Sequence, residues 1–202
     1  MIDIDKVNLD ELDLTSLPED IRKELLKVDV MHAQKQIQNK AQNDFMAFVK
    51  AVWPEFIEGG HHRVIAQKFN DLASGKINRL IVNMPPRHTK SEFASYLLPA
   101  WMVGKNQKLK IIQATHNGEI DVRFGRKAKN LIDSEEYRKI FQTTLQEDSK
   151  AAGRWETEQG GEYFAAGVGG AITGRGADLL IIDDPHSEQD AMSASAFDNA
   201  YE

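Results

Sequence analysis

The pair Lys90-Ser91 stands where a phosphate-binding loop would place its functional residues. It follows the apolar, β-branched run 79–83 (RLIVN) after a short loop, and it opens a segment with helical periodicity. Backbone amides at a helix N-terminus are unpaired and carry the positive end of the helix dipole, so they bind phosphate oxygens. Lys90 is therefore predicted to neutralise the β- and γ-phosphates of a nucleotide, and the Ser91 hydroxyl to ligate magnesium.

This loop departs from the strict pattern G-x-x-x-x-G-K-[ST]. Met84 and Thr89 occupy the two glycine positions, so only the Lys-Ser core matches. Thr89 is expected to alter the backbone angles of the loop, because glycine adopts positive φ without strain and threonine does not. A proline-rich turn between a strand and a helix is the alternative interpretation of the same residues.

Two adjacent carboxylates, Asp183 and Asp184, follow the most apolar run of the chain, 179–182 (LLII). If this run is a strand of an α/β sheet, its C-terminal end lies at the edge where such sheets bind ligands. Successive residues of a strand point to opposite sides, so the two carboxylates are predicted to have different roles. We assign Asp183 to magnesium, through a water molecule, and Asp184 to polarising the attacking water of an ATPase. An Asp-Pro turn after a buried strand is the structural alternative.

Three histidines follow predicted strands and suggest a different, metal-binding interpretation: His88, His116 and His186. An ATP site does not need imidazole ligands, so this interpretation is the weaker one.

Three tryptophans are predicted to be packing residues rather than platforms for nucleic-acid bases: Trp53, Trp101 and Trp155.

The elements that must position these residues alternate between strands and helices. Apolar, β-branched runs predict strands, and apolar residues at intervals of three and four predict helices. From residue 79 onwards this alternation favours a mostly parallel sheet with helices on both faces, an α/β fold. The glycine-rich segment 153–176 carries aromatic residues that indicate hairpin strands broken by turns. The other predicted elements are strands at 79–83, 110–115 and 179–182 and helices at 91–103 and 118–132.

Residues 1–58 are predicted to form an N-terminal arm and a helical appendage, and residues 59–202 the core of the protein. The first sixteen residues are acidic and weakly periodic, as expected of a loose arm. A helical run then begins with a proline and two acidic residues, which is typical of a helix start. A second run stops at Trp53, because a proline disfavours helix at the residue before it. A third helix is predicted at 62–73.

Composition restricts the classes of function. The chain has 202 residues, of which 41% are hydrophobic and 28% charged, as in a globular protein. It has no cysteine, which excludes disulfides, thiol catalysis and Cys-ligated zinc. Its net charge of -6 disfavours passive coating of nucleic acid. The basic stretch 105–129 is a candidate surface for phosphates, and a solvated helix face is the alternative interpretation. The acidic N-terminus lacks the layout of a signal peptide, so a cytoplasmic location without a membrane segment is expected.

The motifs resemble those of phage terminase large subunits, the motors that package viral DNA. The segment IVNMPPRHTKSE is similar to the variant phosphate loop of that family, and GGAITGRGADLLIIDDPH is similar to its second signature. The intervening ATHNGEIDVRFGRKAKNLIDSEEYRKIF resembles the connector between them. The resemblance covers roughly residues 41–202, and the two motif blocks are specific in combination.

This resemblance implies a P-loop NTPase fold of the ASCE type, in which Mg-ATP is hydrolysed to drive double-stranded DNA into a procapsid. It implies a homo-oligomeric ring that works with the portal protein and the small terminase subunit, in the cytoplasm of an infected bacterium. It also implies that the coupling motif and the metal-dependent nuclease half of the family lie beyond Glu202.

The resemblance further implies roles for individual residues. Arg87 matches a loop arginine expected to approach the γ-phosphate, where a fixed guanidinium stabilises transition-state charge. Arg175 resembles the arginine that reaches into a neighbouring subunit, and a glycine-flanked turn residue is the alternative. The expected catalytic residues are Asp184, Arg87 and Arg175; the expected nucleotide contacts are Pro86, Arg87, His88, Thr89, Lys90, Ser91, Glu92 and His62; and the expected magnesium ligands are Ser91 and Asp183.

Two of these assignments need comment. The family recognises adenine through a polar residue in the helix before the first strand, for which His62 is the candidate and His61 and Gln67 are rivals. Many motor ATPases carry glutamate at the position of Asp184, so the side chain here is one methylene shorter.

Three other functions are compatible with parts of the sequence. One is a helicase-like DNA translocase of the same superfamily. The second is a metal-dependent nuclease that uses Asp183, Asp184 and a histidine and needs no ATP. The third is a nucleotide-binding or assembly module without turnover.

Overall fold

The computed structural model describes residues 18–116, 118–167, 172 and 174–186. The chain divides into two compact units, residues 1–38 and 39–202. The predicted arm, residues 1–16, lies outside the described residues. Residues 39–58, which the sequence assigns to the helical appendage, therefore belong to the second unit.

The first unit consists, in its described part, of helix α1 (Glu19–Asn43), which continues into the second unit. Two acidic side chains in its first turn and Lys40 in its last turn match the charges of the helix dipole. Several large apolar side chains of this unit are exposed: Ile21, Leu26, Val30, Met31 and Ile37. The predicted helix start after Pro18 is confirmed.

Two helices follow at the positions that the sequence predicts. Helix α2 (Phe45–Val52) begins at Asp44, whose carboxylate accepts a hydrogen bond from the amide of Ala47 at 2.7 Å, and it ends at Trp53. Helix α3 spans Gly60–Ala73 and buries Ile65 and Phe69. Both predictions are confirmed, because capping residues and the proline after Trp53 are local signals.

The sheet contains five strands in the order β2-β3-β4-β1-β5. Strand β1 pairs in parallel with β4 on one side and β5 on the other, whereas β2-β3 and β3-β4 are antiparallel pairs. The strands are β1 (Lys110–Thr115), β2 (Leu145–Ala151), β3 (Arg154–Thr157), β4 (Glu162–Gly167) and β5 (Leu179–Ile182). A π-helical turn (Glu92–Leu97) and helices α4 (Leu98–Lys105), α5 (Gly118–Ile132) and α6 (Glu135–Arg138) complete the described elements.

The fold is therefore mixed α/β, and the prediction of a mostly parallel sheet is wrong. The glycine-rich segment does form the predicted hairpin, in which Trp155 pairs with Tyr163. Only four residues join β3 to β4, and so short a connection links antiparallel strands but not parallel ones. Strand β2, which the sequence analysis did not predict, extends the hairpin by a second antiparallel pair.

The predicted strand at 79–83 is also wrong, since these residues belong to none of the strands in the described part of the chain. Leu80 and Val82 pack against the core, while Ile81 between them is 86% exposed. Burial thus alternates as in a strand, but the run forms no ladder of hydrogen bonds with any other described residue. A β-branched run indicates extended backbone and does not supply the partner that makes it a strand.

The predicted helix at 91–103 contains a π-helical turn, Glu92–Leu97, which continues directly into α4. The amide of Leu98 donates to the carbonyl of Phe93, five residues earlier. Pro99 explains the wide turn, because proline has no amide hydrogen and its ring clashes with the carbonyl four residues before it. Such turns often occur at functional sites, and this one begins immediately after Ser91.

An aromatic cluster joins the helices of the second unit. The ring of Phe45 makes edge contacts with Phe69, Phe93 and Trp101 at centroid distances of 5.0 to 5.5 Å. The Trp101 indole donates to the carbonyl of Ala41 at 3.0 Å. In the sheet, Trp155 stacks on Tyr163, and Trp53 packs against Phe56. The prediction that the tryptophans are packing residues is confirmed.

Gly125, in the middle of α5, lies against the hairpin. A β-carbon at this position would be 2.5 Å from the carbonyl oxygen of Ala152 and 2.7 Å from Cε1 of Tyr163. Alanine normally stabilises a helix interior relative to glycine by about 1 kcal/mol. Here we expect Gly125→Ala to lower the free energy of unfolding by about 1–3 kcal/mol, because the backbone carbonyl cannot move aside.

Urea denaturation measures this effect, with Gly60→Ala as the matched control. Gly60 lies in the first turn of α3, and a β-carbon there meets no atom within 4 Å. The control is therefore expected to be neutral or slightly stabilising. Equal stabilisation by both substitutions would contradict the packing of α5 on the hairpin.

Candidate active site

The loop before the π-helical turn has an unusual backbone. Arg87 and Thr89 have φ of 64° and 63°, in the left-handed region that favours glycine. The carbonyl of Thr89 accepts a hydrogen bond from the amide of Phe93 at 2.9 Å, so the helix begins at Lys90. Thr89 therefore has a backbone angle typical of glycine, and it adopts this angle with conformational strain.

Lys90 brings the two candidate motifs together in space. Its Nζ donates to Oδ1 of Asp184 at 2.6 Å and lies 3.4 Å from Oδ1 of Asp183. Burial lowers the pKa of Lys90, but the hydrogen bond that Lys90 donates to Asp184 and the charges of both carboxylates outweigh it, so the net pKa is raised. The ammonium is thus held in its charged form, beside two carboxylates that lie over ninety residues away in the sequence.

The two carboxylates have different surroundings, as the strand alternation predicts. Asp183 is 7% exposed, and its Oδ2 accepts a hydrogen bond from the buried hydroxyl of Ser95 at 2.8 Å. The side chain of Asp184 is 66% exposed. Asp183 therefore has a fixed position, whereas the side chain of Asp184 faces solvent.

His116 holds the backbone of Asp184 in place. The Asp184 carbonyl accepts from the His116 amide at 3.2 Å and lies 2.9 Å from its Nδ1. A carbonyl oxygen only accepts hydrogen bonds, so Nδ1 carries the proton. Asp184 has φ of 47°, which is strained for a residue other than glycine, and the two contacts stabilise this conformation.

A cavity of about 260 Å³ opens beside these residues. Ser91 and Asp183, the two predicted magnesium ligands, both line it. The remaining lining residues are Glu92, Thr115, His116, Ile120, Arg123, Phe124 and Asp184. The cavity lies beyond the C-terminal ends of β1 and β5, which is the sheet edge where α/β proteins bind ligands.

Three of the site residues were not predicted from the sequence. Ser95 contacts Asp183, while Thr115 and Arg123 line the cavity. Ser95 follows Ser91 by one helical turn, and this spacing was the available signal. Thr115 ends β1, and Arg123 belongs to the part of the basic stretch 105–129 that forms α5, but only the folded chain brings them to the same cavity.

The other predicted nucleotide contacts occupy the loop and its surroundings. Pro86, Arg87 and His88 are exposed, and the His88 ring lies 2.9 Å from the carbonyl of Pro86. Glu92 lines the cavity, where its carboxylate forms an ion pair of 2.6 Å with Lys127 of α5.

His62 and its two rivals lie on α3. His62 is buried and contacts Thr89, whereas His61 and Gln67 are exposed. Burial is the main cause of a lowered pKa at His62, with His61 as a second cause, so the ring is neutral at neutral pH.

Arg175 lies away from the cavity. Its guanidinium donates to Glu162 at 2.8 Å and lies 4.0 Å from the centre of the Phe164 ring. Glu162 is the first residue of β4, whereas Thr115, which lines the cavity, pairs with Gly167 at the other end of this strand. Five residues of strand, about 17 Å, separate Glu162 from Gly167. In this conformation Arg175 does not reach the cavity of its own chain.

The donor set fits magnesium and phosphate groups. Magnesium prefers oxygen ligands and takes one or two carboxylates, with water and phosphate oxygens completing its shell. One hydroxyl and one buried carboxylate, from Ser91 and Asp183, line the same cavity. Among the described residues, no group of three or more His, Asp or Glu side chains is arranged to hold a metal ion. The nuclease interpretation therefore lacks its third ligand within those residues.

Comparison with protein-family models, with curated proteins and with solved structures finds no match to this chain. In the part of the chain that is described, no helix combines the length and the apolarity required to cross a membrane.

Proposed function

We propose that this chain is the ATPase motor domain of a phage terminase large subunit, which hydrolyses Mg-ATP to drive double-stranded DNA into a procapsid. The observation that carries the proposal is the contact of Lys90 with both Asp184 and Asp183. It unites the Lys-Ser pair of the first motif with the carboxylates of the second, in the order and at the sheet edge that a phosphate-binding site requires.

In the proposed mechanism, ATP and magnesium supply the phosphoryl group to be transferred and the cation that offsets its charge. Lys90 moves from Asp184 to the phosphate oxygens, because both are anionic acceptors for the same ammonium. Ser91 and Asp183 would hold the cation, Asp183 through a water molecule, and Ser95 keeps Asp183 oriented. Phosphoryl transfer depends mainly on such positioning and charge stabilisation.

Asp184, once released by Lys90, accepts a hydrogen bond from the attacking water. Its exposure favours this role over that of a metal ligand, because water must approach it from solvent. Arg87, exposed in the loop, is proposed to stabilise the charge that develops on the γ-phosphate.

Arg175 is proposed to act in the site of a neighbouring subunit of a homo-oligomeric ring. Its contact with Glu162 at the start of β4, away from the cavity of its own chain, is compatible with a role in trans. The ring would dock on the portal protein, and the small terminase subunit would deliver DNA to it. These partners follow from the family resemblance.

The test is ATP turnover with magnesium, measured per subunit over a range of protein concentrations. We expect turnover to rise with concentration as neighbouring arginines complete the sites. Lys90→Ala and Arg175→Gln are expected to be inactive separately and to regain activity when mixed, because each supplies what the other lacks. Arg175→Gln keeps a stem to pack on Phe164.

Three outcomes would overturn parts of the proposal. Absence of turnover in every sample, with no ATP-dependent rise in thermal stability, would remove the nucleotide site. DNA cleavage with magnesium or manganese and no ATP requirement would favour the nuclease instead. Activity of Arg175→Gln equal to that of the unmodified chain would remove only the trans arginine.

A further inference from the structure

We propose that His62 is a positioning residue that holds Thr89 in its left-handed conformation and so shapes the loop before Lys90. This inference rests on the proposed function, since the loop matters as a phosphate site. It assigns His62 a role within the protein rather than a contact with adenine.

The hydrogen bonds of His62 form a chain in which each donor is determined. The Gly59 amide donates to Nδ1 of His62 at 2.8 Å, so Nδ1 is unprotonated and Nε2 carries the hydrogen. Nε2 then donates to the Thr89 hydroxyl oxygen at 2.7 Å. The Thr89 hydroxyl donates in turn to the carbonyl of His88 at 2.6 Å. The chain links the start of α3 to the loop and leaves neither ring nitrogen for a ligand.

Thr89 needs such a restraint because its backbone is strained. A β-branched residue at φ of 63° places its side chain close to the following backbone, and glycine is the usual residue at this angle. A hydroxyl fixed between His62 and the His88 carbonyl restricts both the rotamer and the backbone of Thr89. Lys90 follows directly, so the direction of its side chain depends on this angle.

The surroundings of His62 make the contact a stable one. The residue is 6% exposed, and its ring packs against Phe56 and Phe93 at centroid distances of 4.8 and 5.2 Å. These rings exclude water, which would otherwise compete for the hydrogen bonds. The Phe93 amide also donates a hydrogen bond to the Thr89 carbonyl. Phe93 therefore contacts both partners, His62 through its ring and Thr89 through its backbone.

The decisive experiment is rescue by glycine. We expect His62→Ala to weaken binding of Mg-ATP about tenfold, since the loop loses a restraint on a strained residue. In the double variant His62→Ala with Thr89→Gly, we expect binding to return to within about twofold of that of Thr89→Gly alone, because glycine adopts the angle without help. An exposed residue of the same helix, as in Val64→Ala, is the control.

A second ligand separates positioning from adenine recognition. Inorganic tripolyphosphate with magnesium has no base, so a positioning role predicts equal losses for ATP and tripolyphosphate in His62→Ala. Loss of ATP binding with unchanged tripolyphosphate binding would overturn the inference in favour of adenine recognition. Failure of Thr89→Gly to rescue would overturn it in favour of a general packing role.

Two measurements keep the inference testable if His62→Ala does not fold or if nothing binds. Thr89→Val removes only the hydroxyl, and it is expected to weaken both ligands to the same extent. In the free protein, the imidazole nitrogen resonances of His62 should report the tautomer protonated at Nε2. The opposite tautomer would overturn the hydrogen-bond chain, whereas absence of ligand binding in the unmodified chain would overturn the proposed function and with it the role of the loop.

Discussion

Lys90→Ala is expected to lower Mg-ATP turnover by about 10²–10³-fold, because it removes a positioned cation from the site where phosphate charge develops. Lys90 contacts both Asp183 and Asp184, so its ammonium already lies at the site where the phosphates are proposed to bind. The substitution also leaves two adjacent carboxylates that repel an anionic ligand. We therefore expect binding of ATP to weaken together with turnover.

Steady-state hydrolysis and calorimetric titration with Mg-ATP measure these two effects. Lys68→Ala is the matched control, because Lys68 is an exposed lysine of α3 whose nearest acidic partner is Asp71 at 3.8 Å. The control is expected to keep both activities. A Lys90→Ala protein that hydrolyses ATP at the rate of the control would show that the Lys-Ser pair is not a phosphate site.

Asp184→Asn is expected to produce the complementary defect, in which ATP still binds and turnover falls by about 10²–10³-fold. Asparagine keeps the size of the side chain but accepts hydrogen bonds more weakly than a carboxylate. Binding should be preserved or improved, because the substitution removes a negative charge that holds Lys90 at 2.6 Å. The pair of variants thus separates phosphate binding from activation of water.

Rapid-quench measurement of a single turnover, beside equilibrium binding, distinguishes these effects. Asp148→Asn, which changes an exposed aspartate of β2, is the control. Asp184→Glu adds one methylene and is expected to retain more activity than Asp184→Asn. Full turnover in Asp184→Asn would exclude Asp184 as the residue that activates water and would direct attention to other groups lining the cavity.

The local elements of this protein are determined by local sequence. Helices α2 and α3 and strands β1 and β5 lie where periodicity, capping residues and Pro54 predict them. These signals act between residues a few positions apart, so they are visible without any knowledge of the fold. The same reasoning predicted the hairpin from its glycines and aromatic residues.

The sheet was decided by partners that are distant in the sequence. The run 79–83 has the composition of a strand, yet no strand in the described ranges pairs with it. Strand β5 lies at the end of the sheet, and within those ranges only its edge facing β1 is paired. Strand β2 (LQEDSKA) has a polar composition, yet it is a strand because β3 offers it hydrogen bonds. Pairing depends on tertiary packing more than on intrinsic preference, which is why composition was misleading in both places.

The candidate site shows the same division. The types of residue at Lys90, Asp183 and Asp184 and their order predicted from the sequence alone that these residues share a site. Their distances, the burial of Asp183 and the exposure of Asp184 appeared only in the folded chain.

The supporting residues were decided entirely by tertiary structure. Ser95 orients Asp183, His116 holds the carbonyl of Asp184, and His62 contacts Thr89 across 27 positions of sequence. A single serine or histidine has no characteristic pattern, since its role comes from whichever group the fold places against it. The sequence by itself therefore determined most of the local elements and the candidate residues of the site, and the tertiary structure decided which strands pair and which side chains support those candidates.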